Sequence, residues 1–337
     1  MPKASYLSFW NLTCRFGDRL VLLDLAKEVI YPAFLVEGQR RKYGPTAYFF
    51  EDVGIAAVEV EEVERPQLTL YGRFIKDTIV KRTQVYAPGL GVVADPASMP
   101  SAPSAFFALD LDNHKLIYLP ETPGAPNAKQ FALTLEMFAR RQLASYIRSL
   151  SNESKQTDSP KSITELMIDY PEPDVEVTPL AGDSNIDLFV ERFSKIVRVG
   201  FQLNDTNAEF NRAEDFRRIR EMKDDVLAVR TTLVHENKDG LKKEAVAGEV
   251  KAAAAGGNQK ITLKGQGEDG TELNGSNDDL KLEVAFPNPP ESRYAKALEM
   301  VRIYFAQVTA GRLRPDVGKP NVAKLAELRG DLDGTER

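Results

Sequence analysis

Two pairs of carboxylates in this sequence have a spacing that suits a metal ion. Asp110 and Asp112 lie two residues apart at the end of a predicted strand, and Asp174 and Glu176 repeat that spacing. Side chains two positions apart on a strand point to the same side, and paired carboxylates can bind Mg²⁺. One hypothesis is therefore a metal-dependent nuclease in which Asp110 and Asp112 hold the ion.

Other signatures of catalysis argue against an enzyme. A restriction-type nuclease carries Glu-x-Lys on a strand, whereas Glu249-Val250-Lys251 lies in an alanine-rich helix pattern. Gly265 to Gly270 matches G-x-G-x-x-G, but no helix begins there, and Glu268 and Asp269 would repel phosphate. No Gly-x-Ser-x-Gly segment is present. We expect no catalytic residue, no cofactor and no resident metal.

The cysteine and histidine content limits the kinds of metal site and cross-link that this chain can form. Cys14 is the single cysteine, and His114 and His235 are the two histidines. These numbers exclude an internal disulfide and a cysteine- or histidine-rich metal cluster. Cys14 falls in the predicted strand Tyr6–Arg15, where we expect a buried thiol rather than a nucleophile.

Cationic side chains alternate with apolar ones in four predicted strands of the C-terminal half. The strands are Lys195–Leu203, Leu227–His235, Lys260–Lys264 and Leu280–Phe286. If the apolar sets, such as Val197, Val199, Phe201 and Leu203, face the core, the opposite sheet face carries the cations. That basic face would comprise Arg198, Arg230, Lys260, Lys264 and Lys281.

Like charges on adjacent strands repel one another unless water or an anion surrounds them. A phosphate backbone would neutralise the face, with an affinity that falls steeply as salt rises. In the alternative, Glu and Asp side chains from neighbouring helices interleave with the cations and leave a neutral, solvated face. The sequence leaves both interpretations open.

An amphipathic helix after Pro126 supplies two further candidate cations, Arg140 and Arg141. Asn127 is the expected N-cap. The helix has an apolar stripe that must be buried, formed by Phe131, Leu135, Phe138, Leu143, Tyr146 and Leu150. Its exposed face is basic and could contact an anion or simply face water.

The candidate residues need a scaffold, and the pattern predicts an α+β protein of two domains. Each domain is expected to be a mainly antiparallel sheet with helices packed on one face. The N-terminal domain covers residues 1–150, a polar linker 151–162, the C-terminal domain 163–310 and a polar tail 311–337. A possible short helix at Val322–Leu328 interrupts that tail.

Composition limits the class of protein and its location. The 337 residues are 42% hydrophobic and 28% charged, which is typical of a folded globular chain. No run of eighteen apolar residues and no signal-peptide core is present, so we expect a cytoplasmic protein without a membrane partner. The net charge of −6 argues against a chain that is basic throughout, but it permits a local basic face.

The C-terminal half contains four segments of a recognisable order and texture, Val229–His235, Lys238–Lys243, Lys260–Lys264 and Glu268–Glu272. In these segments and in the order of its elements, it resembles the RexA family of phage-exclusion proteins. KwaB, a DNA-binding subunit of a bacterial anti-phage system, is a more distant likeness. The whole chain also resembles an uncharacterised bacterial family, a domain of unknown function, at Asn113–Tyr118 and Gly124–Pro126.

The resemblance implies a homodimer that binds duplex DNA without sequence preference and takes part in defence against phage. It brings no catalytic residues. Our first hypothesis is therefore a non-enzymatic DNA-binding protein that uses the basic sheet face together with Arg140 and Arg141. The alternatives are the metal-dependent nuclease and a protein-binding scaffold, with a second subunit of a defence system as a possible partner.

Overall fold

The computed structural model describes residues 5–157, 159–203, 214–226, 228, 230–255, 257–315 and 322–335. The strands are β1 Tyr6–Phe16, β2 Leu20–Val21, β3 Arg41–Tyr43, β4 Thr46–Val58, β5 Gln67–Ala87, β6 Gly91–Ser101, β7 Ser104–Asp110, β8 Lys115–Pro120, β9 Pro173–Pro179, β10 Phe193–Leu203, β11 Thr232–Glu236, β12 Gln259–Gly267, β13 Glu272–Ser276 and β14 Glu283–Ala285.

The helices are α1 Tyr31–Leu35, α2 Ala128–Ser154, α3 Ile163–Asp169, α4 Asp183–Glu191, α5 Glu214–Asp225, α6 Lys243–Ala254, α7 Asn277–Leu280, α8 Arg293–Thr309 and α9 Val322–Thr335. A 3₁₀ turn at Leu22–Leu25 and a π-helical turn at Ala26–Ile30 precede α1. None of the helices in the described part of the chain is both long enough and apolar enough to cross a membrane.

Ten strands form the first sheet, and its pairings are antiparallel. Its main path runs β14-β1-β8-β7-β5-β4-β3, while β2 and β9 pair with β1 and β6 pairs with β5. At its centre, β7 and β8 form a hairpin that is joined by a tight turn. His114 takes a φ of 55° there, and the Asp110 carboxylate accepts hydrogen bonds from the Asp112 N–H and the Asn113 side chain, which closes the turn.

Helices cover both faces of the first sheet. On one face α2 buries Phe131, Leu135, Phe138 and Leu143, as its apolar stripe predicts. Asn127 caps this helix, because its side chain accepts from the Gln130 N–H at 2.9 Å. On the other face α8 buries Met300, Val301 and Tyr304 against the sheet. The expectation of helices on a single face therefore fails for this sheet.

The second sheet has four antiparallel strands in the order β11-β10-β12-β13. Its core side packs against α4 and α6, with Phe201, Ile261 and Leu263 among the buried residues. Strand β12 alternates buried and exposed residues along its whole length, so the opposite side of the sheet is exposed. The predicted α+β class is thus confirmed, with helices on one side of this smaller sheet.

Sheet membership does not follow the predicted domain boundaries. Strands β9 and β14 and helix α8 lie in the predicted C-terminal domain, yet both strands pair with β1 and α8 packs on the first sheet. Helix α2 continues to Ser154, inside the predicted linker. Helix α9 extends the short helix predicted in the tail and buries Leu325 and Leu328 in the first core. These later elements supply apolar surface that the first sheet needs.

A buried polar network joins the two sheets. Lys115 has no exposed surface, and its Nζ donates to Oδ1 of Asn11 at 2.7 Å. Asn11 in turn donates to Oδ1 of Asn258 at 2.9 Å, immediately before β12. Gly257 has a φ of 67°, and a Cβ there would lie 2.8 Å from both the Asn11 Cβ and a Leu180 methyl. The close approach of the two sheets therefore requires glycine at this position.

We predict that Gly257→Ala destabilises the protein by about 1 to 3 kcal/mol, because it adds both a left-handed backbone strain and a clash at the junction. Gly248→Ala is the matched control, since Gly248 lies within α6 with nothing near the new methyl. There, alanine should stabilise by roughly 0.5 to 1 kcal/mol. Urea unfolding of the two variants checks this, and equal midpoints would contradict it.

Candidate nucleic-acid interface

The exposed side of the second sheet, which we call the open face, gathers three of the predicted cations. Strand β12 exposes Lys260 and Lys264, while Ile261 and Leu263 face the core. Arg198 of β10 is in register with Lys264, so the two side chains are neighbours across the strands. By the same register the open face also carries neutral hydrogen-bonding side chains, namely Gln202, Thr232, Thr262, Gln266, Asn274 and Ser276.

Each of these three cations has a carboxylate partner. Arg198 Nη1 lies 3.9 Å from Glu236 Oε2, and Lys264 Nζ lies 3.1 Å from Glu272 Oε1. Lys260 Nζ lies 2.6 Å from Glu176 Oε1. The carboxylates come from strands β11, β13 and β9, not from helices. The open face is therefore charge-balanced at these positions, as the alternative of a neutral, solvated face predicts. That alternative expected the carboxylates to come from helices, whereas they come from strands.

The ion pairs on the open face are weak. The side chains of Arg198, Lys260 and Lys264 are each about half exposed. Exposed pairs of this kind contribute about 0 to 1 kcal/mol, because water screens them and both side chains lose freedom. Little free energy opposes the replacement of such a carboxylate by a phosphate group.

Two predicted residues do not join the open face. Lys281 lies outside the second sheet, since Leu280–Phe286 does not form a strand of that sheet. Its C-terminal part, β14, pairs instead with β1, and Lys281 pairs with Glu283 at 2.7 Å. Arg230 is exposed but precedes β11, which begins at Thr232. Residues 227 and 229 of the predicted strand lie outside the described residues.

An irregularity in β10 also changes the predicted face assignment. The pairing with β12 shifts between Ile196 and Arg198, as at a β-bulge. Ile196 is consequently buried with Val199 and Phe201, whereas Val197 is only half-buried. Strict alternation would put Ile196 on the same side of the sheet as Arg198 and Val197 in the core, and this is wrong for both residues, although Arg198 is exposed as expected.

Arg140 and Arg141 lie on α2, and acidic residues separate Arg140 from the open face. Arg140 contacts Glu136 at 2.6 Å and Glu172 at 3.4 Å. Glu172 precedes β9, the strand whose Glu176 binds Lys260. Arg141 donates to the backbone oxygen of Arg40 at 3.3 Å. The structure thus separates Arg140 and Arg141 from the cations of the open face.

A second charged cluster, on the α8 side of the first sheet, was not indicated by the strand patterns. Arg73 contacts Asp52 at 3.0 Å and Glu121 at 3.2 Å. Arg293 and Lys296 of α8 bind the same two carboxylates, at 2.9 and 3.0 Å. Since these partners lie more than a hundred residues from α8 in sequence, no local signal could have revealed the cluster. Its cations and carboxylates satisfy one another, and it fixes α8 on the sheet.

Comparison of the chain with models of known protein families and with curated proteins finds no match.

The carboxylates of Asp110 and Asp112 are both engaged in hydrogen bonds that hold the fold together. Asp112 accepts from the Leu68 N–H at 2.7 Å and from Arg329 of α9. Asp110 is fully buried and closes the hairpin turn. Among the described residues, no group of three or more His, Cys, Asp or Glu side chains is arranged to hold a metal ion.

Two buried groups in this hairpin titrate abnormally. Burial, together with the neighbouring Asp112, raises the pKa of Asp110 to about 7. Burial, together with the charge of Lys115, lowers the pKa of His114 to about 3. Protonated Asp110 therefore favours the folded state below its ordinary pKa, an advantage lost as pH rises through about 7. Neutral His114 favours it above about 6.5, an advantage lost as pH falls towards 3.

Between pH 4 and 6.5 these two effects oppose each other, which yields a testable difference between variants. In Asp110→Asn only the histidine effect remains, so the free energy of unfolding should fall on acidification more steeply than in the wild type. The difference is up to about 1 kcal/mol per pH unit. His114→Asn, which tolerates the positive φ, should change in the opposite direction. Urea unfolding at pH 4.5 and 6.5 measures both, and parallel profiles would refute the assignment.

Proposed function

We propose that this protein binds duplex DNA without sequence preference through the open face, as a non-enzymatic component. The observation that carries the proposal is the presence of three half-exposed cations on the uncovered side of one sheet, namely Arg198 in register with Lys264, and Lys260 on the same strand as Lys264. Such cations contact phosphates and set the position of the protein on the duplex. They read no bases, which accounts for the absence of sequence preference.

The neutral side chains of the open face favour a duplex over a single strand. Thr262, Gln266 and Asn274 can donate hydrogen bonds to phosphate and sugar oxygens. Proteins that bind single strands stack the bases on aromatic rings. In the described part of the chain, the open face presents no aromatic side chain. Contact with a backbone is therefore the chemistry that this face offers.

The charge balance of the open face determines the DNA affinity that we expect. Glu176, Glu236 and Glu272 compete with the phosphates for the same cations. Affinity should therefore be modest, and three phosphate contacts correspond to a logarithmic salt dependence of about −3. Because the chain carries a net charge of −6, binding depends on the local arrangement of charge and not on its total.

The biological role in this proposal comes from the resemblance to RexA. It is that of a homodimeric, cytoplasmic DNA-binding component of bacterial defence against phage, with a second subunit as a possible partner. A protein-binding scaffold is the second candidate. It is supported by the exposed apolar residues of the paired strands β5 and β6. A nuclease is not proposed, since the carboxylates of Asp110 and Asp112 are engaged in hydrogen bonds within the fold.

The first prediction concerns the cations of the open face. The triple variant Arg198→Glu, Lys260→Glu, Lys264→Glu should bind labelled duplex DNA at least tenfold more weakly than the wild type at low salt. The control Arg19→Glu, Lys155→Glu, Arg302→Glu alters net charge equally at exposed positions elsewhere and should retain most of the binding. Fluorescence anisotropy across a salt series measures both, with a single strand as competitor. Equal loss in the two triples would refute the proposed face.

The second prediction concerns the competing carboxylates. In the double variant Glu236→Gln, Glu272→Gln, the cations Arg198 and Lys264 lose their anionic partners, so DNA affinity should rise several-fold. Glu191→Gln, Glu299→Gln is the matched control at two exposed or partly exposed helical positions. It should give a much smaller gain. Isothermal titration at fixed salt distinguishes the two, and equal gains would mean that net charge alone governs binding.

A further inference from the structure

The paired strands β5 and β6 form a ribbon that extends beyond the first sheet. We call the segments Thr78–Ala87 and Gly91–Ser101 the β-ribbon; in the described chain, β6 pairs only with β5. Large apolar side chains on it are exposed, including Tyr86 at 73% and Val92 at 64%. An isolated two-stranded ribbon is marginally stable in water, and exposed apolar clusters mark contact sites.

One edge of the β-ribbon has no partner strand, and the pairing of β5 within the first sheet shows where this open edge begins. The pairings of β6 and β7 with β5 share one register, so both strands lie on the same edge of β5. The other edge is occupied by β4 as far as Asp77, and the Thr46 and Thr78 hydroxyls then meet at 2.7 Å. From Ile79 to Ala87 this second edge of β5 has no strand partner within the described chain.

Proline content distinguishes the two edges of the β-ribbon. Proline lacks an N–H and obstructs pairing. Strand β6 contains Pro96 and Pro100, which protect its outer edge. The segment Ile79–Ala87 contains none. The unprotected edge is therefore the one that β5 presents.

We propose that two copies of this chain associate by antiparallel pairing of Ile79–Ala87 with the same segment of the second copy. A two-fold axis perpendicular to the ribbon brings together residues that lie on the same face of each strand. The nine free residues are centred on Thr83, which places Thr83 opposite its counterpart. Each free edge is then filled along its whole length, up to the point where β4 begins.

The chemistry of the segment supports this register. Val80 lies opposite Tyr86 of the second copy, and Arg82 lies opposite Gln84. No like charges face each other directly. A register centred on Arg82 would instead set two arginines against each other, which is unfavourable. The length of the open edge and the distribution of charge thus select the same alignment.

The same register assembles a continuous apolar row across four strands. Met99 is paired with Val80, and Tyr86 with Val92, within each β-ribbon. Pairing of the two copies extends these pairs into the row Met99, Val80, Tyr86, Val92, with the last two residues from the second copy. Symmetry generates the row twice. Two exposed apolar side chains of each chain, Val80 and Tyr86, thereby gain an apolar neighbour from the second copy.

This interface would form the homodimer that is part of the proposed function. In every other respect the dimer proposal is independent of DNA binding. Association is measured without DNA, so either idea can fail while the other stands. The β-ribbon also lies outside the three buried core clusters. Substitutions on it should leave both sheets folded, which circular dichroism verifies.

The sharpest test is a disulfide across the symmetry axis. Directly opposed residues of antiparallel strands have Cα atoms about 4.5 to 5.5 Å apart, within the range that a disulfide spans. Thr83→Cys should therefore form a covalent dimer under mild oxidation. Ser98→Cys, equally exposed on the protected strand β6, is the control and should form little. Cys14 is fully buried and does not interfere.

The proposed pairing of Val80 with Tyr86 of the second copy is tested independently by introducing charged residues at the two positions. Val80→Glu and Tyr86→Lys should each raise the dimer dissociation constant at least tenfold in analytical ultracentrifugation. The double variant sets opposite charges across the interface and should recover part of the loss. A wild-type chain that is monomeric at all concentrations, with no excess cross-linking of Thr83→Cys over Ser98→Cys, would overturn the proposal and assign the β-ribbon to a different protein.

Discussion

A buried lysine determines how the two sheets of this protein meet. Lys115 has no exposed surface, and an ammonium group removed from water is stable only when polar atoms surround it. Asn11 and Asn258 provide part of that environment, so the turn before β12 must come within hydrogen-bond distance of β1. Because β12 begins at the next residue, this contact also fixes the position of Lys260 and Lys264. The orientation of the open face thus follows from the burial of a single charge.

The same junction explains why Lys260 has a carboxylate partner from the first sheet. Strand β9 pairs along β1 and so runs beside the start of β12, which brings Glu176 to Lys260. Glu172, immediately before that strand, binds Arg140 of α2. Acidic residues of one segment therefore contact both the open face and Arg140, two cationic sites that the sequence predicted to bind DNA. Any polyanion that binds the open face must first displace carboxylates, which favours weak, salt-sensitive and unselective contact.

Local signals predicted the elements well, whereas long-range pairing escaped them. Helix α2 and the β7–β8 hairpin were predictable because cap, stripe and turn residues lie within a few positions of each other. Arg198, Lys260 and Lys264 were placed on one face by strand alternation. Leu280–Phe286 shows the same alternation, yet its C-terminal part joins β1 more than 270 residues earlier in the chain. The bulge beside Ile196 and the partner Glu176 likewise depend on tertiary contacts that no periodicity records.

Dimerisation would increase the number of phosphate contacts, which is small for a single charge-balanced open face. One open face offers about three phosphate contacts, too few for strong binding against its own carboxylates. Two copies joined through the β-ribbon would present two such faces on one particle, and the second contact would be intramolecular. If both faces reach the same duplex, the logarithmic salt dependence should approach about −5 instead of about −3. If they point apart, the dimer would bridge two duplexes while each face keeps its weak affinity. The salt dependence of binding therefore reports on the geometry of the dimer as well as on the chemistry of the face.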